Sequence, residues 1–517
     1  MLFNSYIFIF IFLPITLIGF YWIGGRGHHR VALSWLVGAS LFFYGWWNPA
    51  YLGLILFSMF FNYATGINLS LENNKQYRTR AKLILIFGIV VNLGLLGYFK
   101  YANFFVDSIN RIFDSNWNLE NIILPLAISF FTFQQIAYLV DAYRGLTREY
   151  NFLHYCLFVT FFPQLIAGPI VHHSEMLPQF AREKVYRPEL LNFAVGLTIF
   201  IIGLLKKVVI ADNFAIYATP VFSAADAGEQ ITFLTAWTGT FAYTLQLYFD
   251  FSGYSDMAIG LARMFGITLP LNFNSPYQAT SIIDFWRRWH ITLSRFLRDY
   301  LYIPLGGSRQ GPIRRHVNLL TTMLLGGLWH GAGWTFVIWG GLHGIYLIIN
   351  HMWCSLRSQP INRWWSNTIA RLVTLIAVMI AWVFFRAETF DGAMIILSAL
   401  GNFPSTFHGY LGPMESLLAY FGIRFEGDFL SWEHYKSFGW FTLWLGIIWF
   451  WPNTLQLMSR FDPVLKEHVK SNQKPLLPIA QNIKWQLSTR WAVIMGIIAA
   501  LTLLSLNQIS EFLYFQF

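Results

Sequence analysis

The chain has 517 residues, of which 56% are hydrophobic, 19% aromatic and only 12% charged, and its formal charge is +10. A soluble domain carries about 25% charged residues, so the composition argues against a soluble fold and for a membrane protein. The basic residues are scattered between apolar runs, which disfavours nucleic-acid binding, and two cysteines, Cys156 and Cys354, imply neither a disulfide framework nor a zinc cluster.

The first apolar run, Tyr6 to Ile23, has no basic residues before it and no small-residue cleavage pattern after it, while Arg26 and Arg30 follow it. It reads as a retained span with its N-terminus outside. A spanning helix needs about 20 apolar residues. Stretches of that kind lie near 5–23, 31–48, 50–71, 83–99, 121–141, 152–171, 190–210, 232–249, 317–337, 335–353, 368–385, 438–452 and 490–507. The expected fold class is therefore an all-α integral membrane bundle of about 10 to 13 transmembrane helices. Trp47-Asn48-Pro49 predicts a tight hairpin between the second and third spans. Lys75, Arg78, Arg80 and Lys82 in 72–82, and Arg144 and Arg148 in 143–150, place these loops with 24–30 on the cytosolic side. Residues 172–190 mix Met176, Leu177, Phe180 and Tyr186 with charged side chains and read as interfacial. The longest non-spanning stretch, about 403–437, is aromatic and weakly charged, too short for a soluble catalytic domain. No internal repeat is evident.

Residues 246–345 depart from this pattern, with polar, charged and glycine residues among aromatics at membrane depth, where ionisable groups are costly and usually functional. Tyr248-Phe-Asp-Phe-Ser-Gly-Tyr-Ser-Asp256 ends an apolar span with two carboxylates, Asp250 and Asp256. The structural reading is that they tie off backbone amides where a helix breaks beside Gly253. A metal site would need further ligands that the segment does not offer, so no metal is expected. Next, Ser281 and Asp284 have the spacing of a helix start, Asp284 and Arg288 that of a helix ion pair, and Arg295 and Asp299 repeat it in reverse order. Between 281 and 316 stand seven arginines, 287, 288, 295, 298, 309, 314 and 315, and no lysine. Either they form a basic rim against lipid headgroups, or they form a cytosolic mouth for a phosphorylated acyl donor, since arginine is the better planar phosphate binder. Then Leu325-Gly-Gly-Leu-Trp-His-Gly-Ala-Gly-Trp334 sets His330 among four glycines in an apolar run. Such a histidine is either a structural hydrogen-bonder or the neutral ring that a general base requires. His343 has no acidic neighbour and reads as structural.

These elements resemble the membrane-bound O-acyltransferase family, in its bacterial alginate O-acetyltransferase branch. The resemblance is carried by 248–260, by Phe-Trp-Arg-Arg-Trp-His (285–290), Leu-Arg-Asp-Tyr-Leu-Tyr-Ile (297–303) and Gly-Gly-Leu-Trp-His-Gly (326–331). Phe8 to Pro14, Phe43-Tyr44-Gly45-Trp46-Trp47, Gly97-Tyr-Phe-Lys-Tyr-Ala-Asn103 and Leu165-Ile-Ala-Gly-Pro169 add to it. It covers nearly the whole chain and weakens after about 400. It implies one membrane domain over 1–517, with an acyl-transfer core near 246–345 and C-terminal spans near 368–507. It also implies re-entrant and interfacial helices around a central tunnel.

The resemblance matches His330 to the family's invariant histidine and His290 to a second conserved polar position. A cytosolic thioester, acetyl-CoA, would enter beside Arg295, Arg298, Arg309, Arg314 and Arg315 as a substrate, with no bound cofactor. His330 would take a proton from the acceptor hydroxyl, while His290 orients a reacting group. The acetyl group would pass across the bacterial inner membrane to a periplasmic serine esterase-like acetyltransferase, which would acetylate an exopolysaccharide, with alginate the nearest match. Acetylation of cellulose or peptidoglycan, or D-alanyl transfer to teichoic acid, would use the same tunnel. A polysaccharide or acyl transporter is the non-enzymatic alternative, and would predict two related polar half-helices where this sequence has one polar centre.

Overall fold

Apolar runs become helices because lipid offers no hydrogen bonds to an open backbone. The computed structural model describes residues 1–71, 78–120, 122–147, 151–166, 168–356, 364–402, 420, 432–465 and 479–507. Lys75, Arg148 and most of the aromatic stretch 403–437 lie outside the described residues. Among the described residues every regular element is a helix and none is a strand. The first four are α1 (Phe8–Gly24), α2 (His29–Gly45), α3 (Tyr51–Leu71) and α4 (Arg78–Phe113). Then come α5 (Ile128–Tyr143), α6 (Phe152–Thr160), α7 (His173–Phe180), α8 (Leu190–Asp226) and α9 (Phe233–Met264). The short α10 (Ile291–Leu297) precedes α11 (Gly311–His330) and α12 (Trp334–Leu356). The last four are α13 (Trp364–Arg386), α14 (Phe390–Leu400), α15 (Trp432–Phe450) and α16 (Thr489–Leu504). Within the described residues, Tyr51–Ser70, α4, α8 and α13 are long and apolar enough to cross a bilayer unaided.

Contacts between helix ends sort the connections onto two faces. On one, Tyr6 donates to Leu503 O (2.8 Å), Tyr44 to Leu126 O (3.1 Å) and Tyr51 to Ile123 O (2.8 Å), and Asp226 accepts the Thr389 amide (2.9 Å). On the other, His29 stacks on Tyr186 with centroids 4.0 Å apart, the Thr268 amide donates to Gln179 (2.9 Å), and Tyr300 donates to Asp141 (2.9 Å). Met176, Phe180 and Tyr186 of the interfacial stretch are buried against the protein, while Arg182, Glu183 and Lys184 are exposed.

Glycines set the closest helix crossings. Gly203 of α8 and Gly253 of α9 face one another, where an added Cβ would lie 2.6 and 2.8 Å from the other's carbonyl oxygen. Gly196 and Gly260 meet in the same way one heptad along, and Gly327 of α11 meets Gly340 of α12.

Three expectations need correction. The span expected to end near 249 runs on to Met264, with no break at Gly253. Its carboxylates do not tie off backbone. Asp250 pairs with Lys207 at 2.6 Å and Asp256 with Lys206 at 2.6 Å, both from α8. Neutralisation from a neighbour lets the helix continue, and Gly253 serves the helix crossing. The run 152–171 is not one span: α6 stops at Thr160, a short turn covers Phe162–Leu165, and extended chain follows. Pro163 and Pro169 explain this, since a proline inside a helix lacks the N–H for the backbone bond and its ring clashes with the carbonyl four residues before it. Finally, Arg295 does not pair with Asp299, because Glu175 of α7 takes Arg295 and Asp299 takes Arg298.

Candidate active site

His330 is the last residue of α11, where the final carbonyls of a helix lack intrahelical donors. Three of them are met by α4. Tyr101 Oη donates to Leu328 O at 2.8 Å, and Lys100 Nζ donates to Trp329 O at 2.5 Å and to His330 O at 3.0 Å. The third hydrogen of Lys100 reaches Ser129 Oγ at 3.3 Å. Lys100 is buried and makes no ion pair among the described residues. It thus acts as an ammonium cap that fixes the end of the helix bearing His330. Beyond it the chain leaves in extended conformation at Gly331, over which Phe336 packs too closely for any side chain.

The His330 ring is half-buried, with Trp329, Trp339 and Phe385 centred 4.9 to 5.2 Å away. It opens on a cavity of about 90 Å³ shared with Lys100, Ser129, Asp250, Phe251 and Trp382. The Leu124–Phe130 segment, on the face that carries the N-terminus, forms one wall. Asp250 is held by Lys207, which also binds Asp212 at 2.8 Å, so the carboxylate at the cavity shares one buried ammonium with a second carboxylate.

His290 lies beside His330, with ring centroids 6.4 Å apart. Its backbone is left-handed, at φ 41°, which costs a non-glycine residue roughly 1–2 kcal/mol. Flanking hydrogen bonds hold this turn: Ile291 N donates to Asn272 O (2.9 Å), and Asn274 N to Arg288 O (2.9 Å). His290 Nδ1 lies 3.0 Å from Asn272 Oδ1, while Nε2 is buried without a partner among the described residues. His343 accepts a hydrogen bond from Trp286 Nε1 at Nδ1 (3.3 Å) and stacks on Phe285, in keeping with a structural role.

The arginines divide. Ser281 caps its short helix by accepting the Asp284 amide (3.1 Å), and Asp284 accepts from Arg288 (2.9 Å), both as the spacing predicts. Arg295 is bidentate on Glu175 at 2.7 and 3.0 Å, and Arg298 on Asp299 at 2.7 and 2.9 Å. Arg309 and Arg314 are exposed at the start of α11, and Arg315 is half-buried beside them, 3.3 Å from His316. Nearby, burial and the Asp141 carboxylate push the Tyr300 phenol well above its ordinary range, so it stays a donor to Asp141. From Tyr300 a stack of rings, Phe296, Phe133 and Trp329, leads to His330 in steps of 5.0, 4.1, 4.9 and 4.9 Å.

The membrane-bound O-acyltransferase family model matches residues 142–387. Peptidoglycan O-acetyltransferase of Helicobacter pylori is 46% identical over 426 residues, 77% of this chain and 80% of that protein. The "Probable alginate O-acetylase AlgI" of Pseudomonas syringae is 38% identical over 540 residues, covering 100% of both chains. The chain belongs to the membrane-bound O-acyltransferase family. A more distant relative, the teichoic acid D-alanyltransferase of Streptococcus thermophilus, is 27% identical over 282 residues, half of this chain and 68% of that one. The chain is a membrane acyltransferase, and His330 and His290 both fall inside the matched region. Lys100 falls outside it and was not singled out by its chemistry in the sequence. An isolated lysine in the apolar run 83–99 and its extension was the available signal. Asn272 gave no such signal, because a loop amide is unremarkable until its partners are known.

Proposed function

We propose that this acyltransferase moves an acetyl group from acetyl-CoA in the cytosol to an acceptor on the outer side of the bacterial inner membrane, for O-acetylation of an exopolysaccharide. The observation that carries this reading is His330 at a capped helix end, beside His290, facing a small aromatic-walled cavity. His330 removes the acceptor hydroxyl proton as the oxygen attacks the thioester carbonyl; the carbon–sulfur bond breaks, and the leaving thiolate takes up a proton. A cavity of about 90 Å³ suits a short acyl group.

The face charges support the orientation. Arg26, Arg30, Arg78, Arg80, Arg144, Arg182, Arg187, Arg309 and Arg314 outnumber Glu183 and Glu189 on one face, while Asp114, Glu120, Asp226, Glu229 and Glu388 outnumber Arg111 on the other. By the positive-inside rule the first is cytosolic and the N-terminus is periplasmic. Arg309, Arg314 and Arg315 then form the donor mouth, with Arg295 and Arg298 shaping it through their carboxylates. A periplasmic serine esterase-like acetyltransferase receives the acetyl group and passes it to the polymer.

Alginate is the acceptor we favour, supported by full-length similarity to an alginate O-acetylase. Peptidoglycan is the second reading, favoured by 46% identity to a peptidoglycan O-acetyltransferase. Acetyl analysis of both polymers from a deletion strain, with and without the wild-type gene, decides between them. Acetyl loss from alginate alone supports the first reading, and loss from peptidoglycan alone replaces it with the second. Unchanged acetylation of both removes the exopolysaccharide assignment.

A further inference from the structure

Asn272 sits at the centre of the hydrogen bonds around His290 and is itself fully buried, at 0% exposure. Its Oδ1 accepts the Thr292 backbone N–H at 3.3 Å and the Thr292 hydroxyl at 2.8 Å, while its Nδ2 donates to Ser255 Oγ at 3.2 Å. A backbone N–H can only donate, so the atom facing Thr292 must be the amide oxygen. That same oxygen lies 3.0 Å from His290 Nδ1. A carbonyl oxygen cannot donate, so the ring proton of His290 must reside on Nδ1. In the neutral ring this leaves a lone pair on Nε2. Nε2 is buried and unpartnered among the described residues, with Phe251 edge-on to the ring at 4.7 Å, which offers no competing donor.

We propose that Asn272 is a positioning residue that locks His290 as a hydrogen-bond acceptor at Nε2. That acceptor receives the N–H of His330, whose ring centroid is 6.4 Å away, directly on a small movement or across one water. His330 then keeps its other nitrogen unprotonated for the acceptor hydroxyl, so one buried amide sets the tautomers of both histidines. An Nε2 lone pair cannot stabilise an oxyanion; His290 orients the base instead. This inference rests on the reading of His330 and His290 as the working pair.

The test is nitrogen-15 NMR of the full chain, labelled at histidine, in lipid nanodiscs, with the His290 signals assigned by loss in His290→Gln. The expected spectrum shows a protonated Nδ1 and an unprotonated Nε2, the less common tautomer of free histidine. A proton on Nε2 overturns the proposal. Asn272→Asp keeps an acceptor at the same place, and it should preserve this tautomer. Asn272→Leu should mix the tautomers and lower kcat about 10- to 100-fold, with KM for acetyl-CoA within about twofold. An Asn272→Leu enzyme with normal kcat also overturns the proposal, and if that variant does not accumulate, the wild-type spectrum decides. If His330→Ala and His290→Ala both retain transfer at normal abundance, the catalytic reading itself fails. If both are inactive and His290 carries its proton on Nε2, only the tautomer lock fails.

Discussion

At the scale of single residues, the proposed site separates side chains that face the cavity from those that hold them. His330 has the open position at the cavity, so His330→Ala should abolish acetyl transfer while membrane abundance stays normal. His343→Ala should be much milder, because His343 faces Trp286 and Phe285 rather than the cavity. Polymer acetyl content measured beside membrane abundance checks both, and near-normal acetylation in His330→Ala would remove its catalytic role. Lys100 invites a different experiment. Its three donors hold Trp329 O, His330 O and Ser129, so Lys100→Met leaves two helix-end carbonyls without their cap. An unmet buried group costs about 1–3 kcal/mol, and a misplaced base slows the reaction. The expected outcome is a kcat at least about tenfold lower, with KM for acetyl-CoA little changed, since Lys100 lies away from the arginine mouth. His330 was legible because a histidine among glycines in an apolar run has few reasons to exist. Lys100 was half-legible for the same reason. Asn272 was not, because its meaning lies in partners at 290 and 292 that only the folded loop brings to it.

At the scale of elements, helix α9 shows what a linear reading misses. Two carboxylates and a glycine resemble a helix end, yet the helix runs through them for 32 residues in all because α8 supplies Lys206 and Lys207 across the crossing. Those partners lie more than 40 residues away, and no local pattern links them. Most of the helices themselves were visible in advance, since hydrocarbon demands continuous apolar runs; boundaries failed where a neighbour's charge or a proline intervened. In α8 the turn Leu205–Ala211 is wide, with i to i+5 hydrogen bonds, and it presents both lysines toward α9. Lys207 stands between Asp250 and Asp212 with side-chain exposures of 1%, 2% and 5%. Removing the lysine leaves two buried carboxylates without their cation, which costs about 3–5 kcal/mol. Lys207→Met should therefore lower the unfolding temperature in detergent and reduce membrane abundance, before any question of activity arises. Lys206→Met, whose partner Asp256 also accepts from Thr454, should be less severe. Equal stability of Lys207→Met and wild type would show that the triad contributes little.

At the scale of the whole molecule, the question is how a donor on one face meets an acceptor on the other. The two faces differ in charge, with exposed arginines at 309 and 314 on one and Glu229 on the other. In intact cells an impermeant thiol reagent should label a cysteine placed at Glu229 and spare one placed at Arg309, once the exposed Cys354 has been replaced. The reverse pattern would invert the topology. Given that orientation, the arginines sort by availability. Arg295 and Arg298 already hold carboxylates, so their loss would confound packing with binding, whereas Arg309, Arg314 and Arg315 are the cleaner probes of a phosphorylated donor. Glutamine at each of these three should raise KM for acetyl-CoA several-fold, and at the exposed Arg309 and Arg314 thermal stability should change little, because exposed charges away from ion pairs shift stability by about 0.5 kcal/mol or less. The acceptor side poses the harder constraint. The cavity is about 90 Å³, and Leu124–Phe130 form one of its walls. The relay proposed above reaches the polymer through a second protein. Purified protein in lipid should transfer little acetyl to added polymer, and a periplasmic partner with an intact serine should restore transfer. Replacing that serine with alanine should block it again, and efficient acetylation of polymer by this chain alone would replace the relay with a direct transferase.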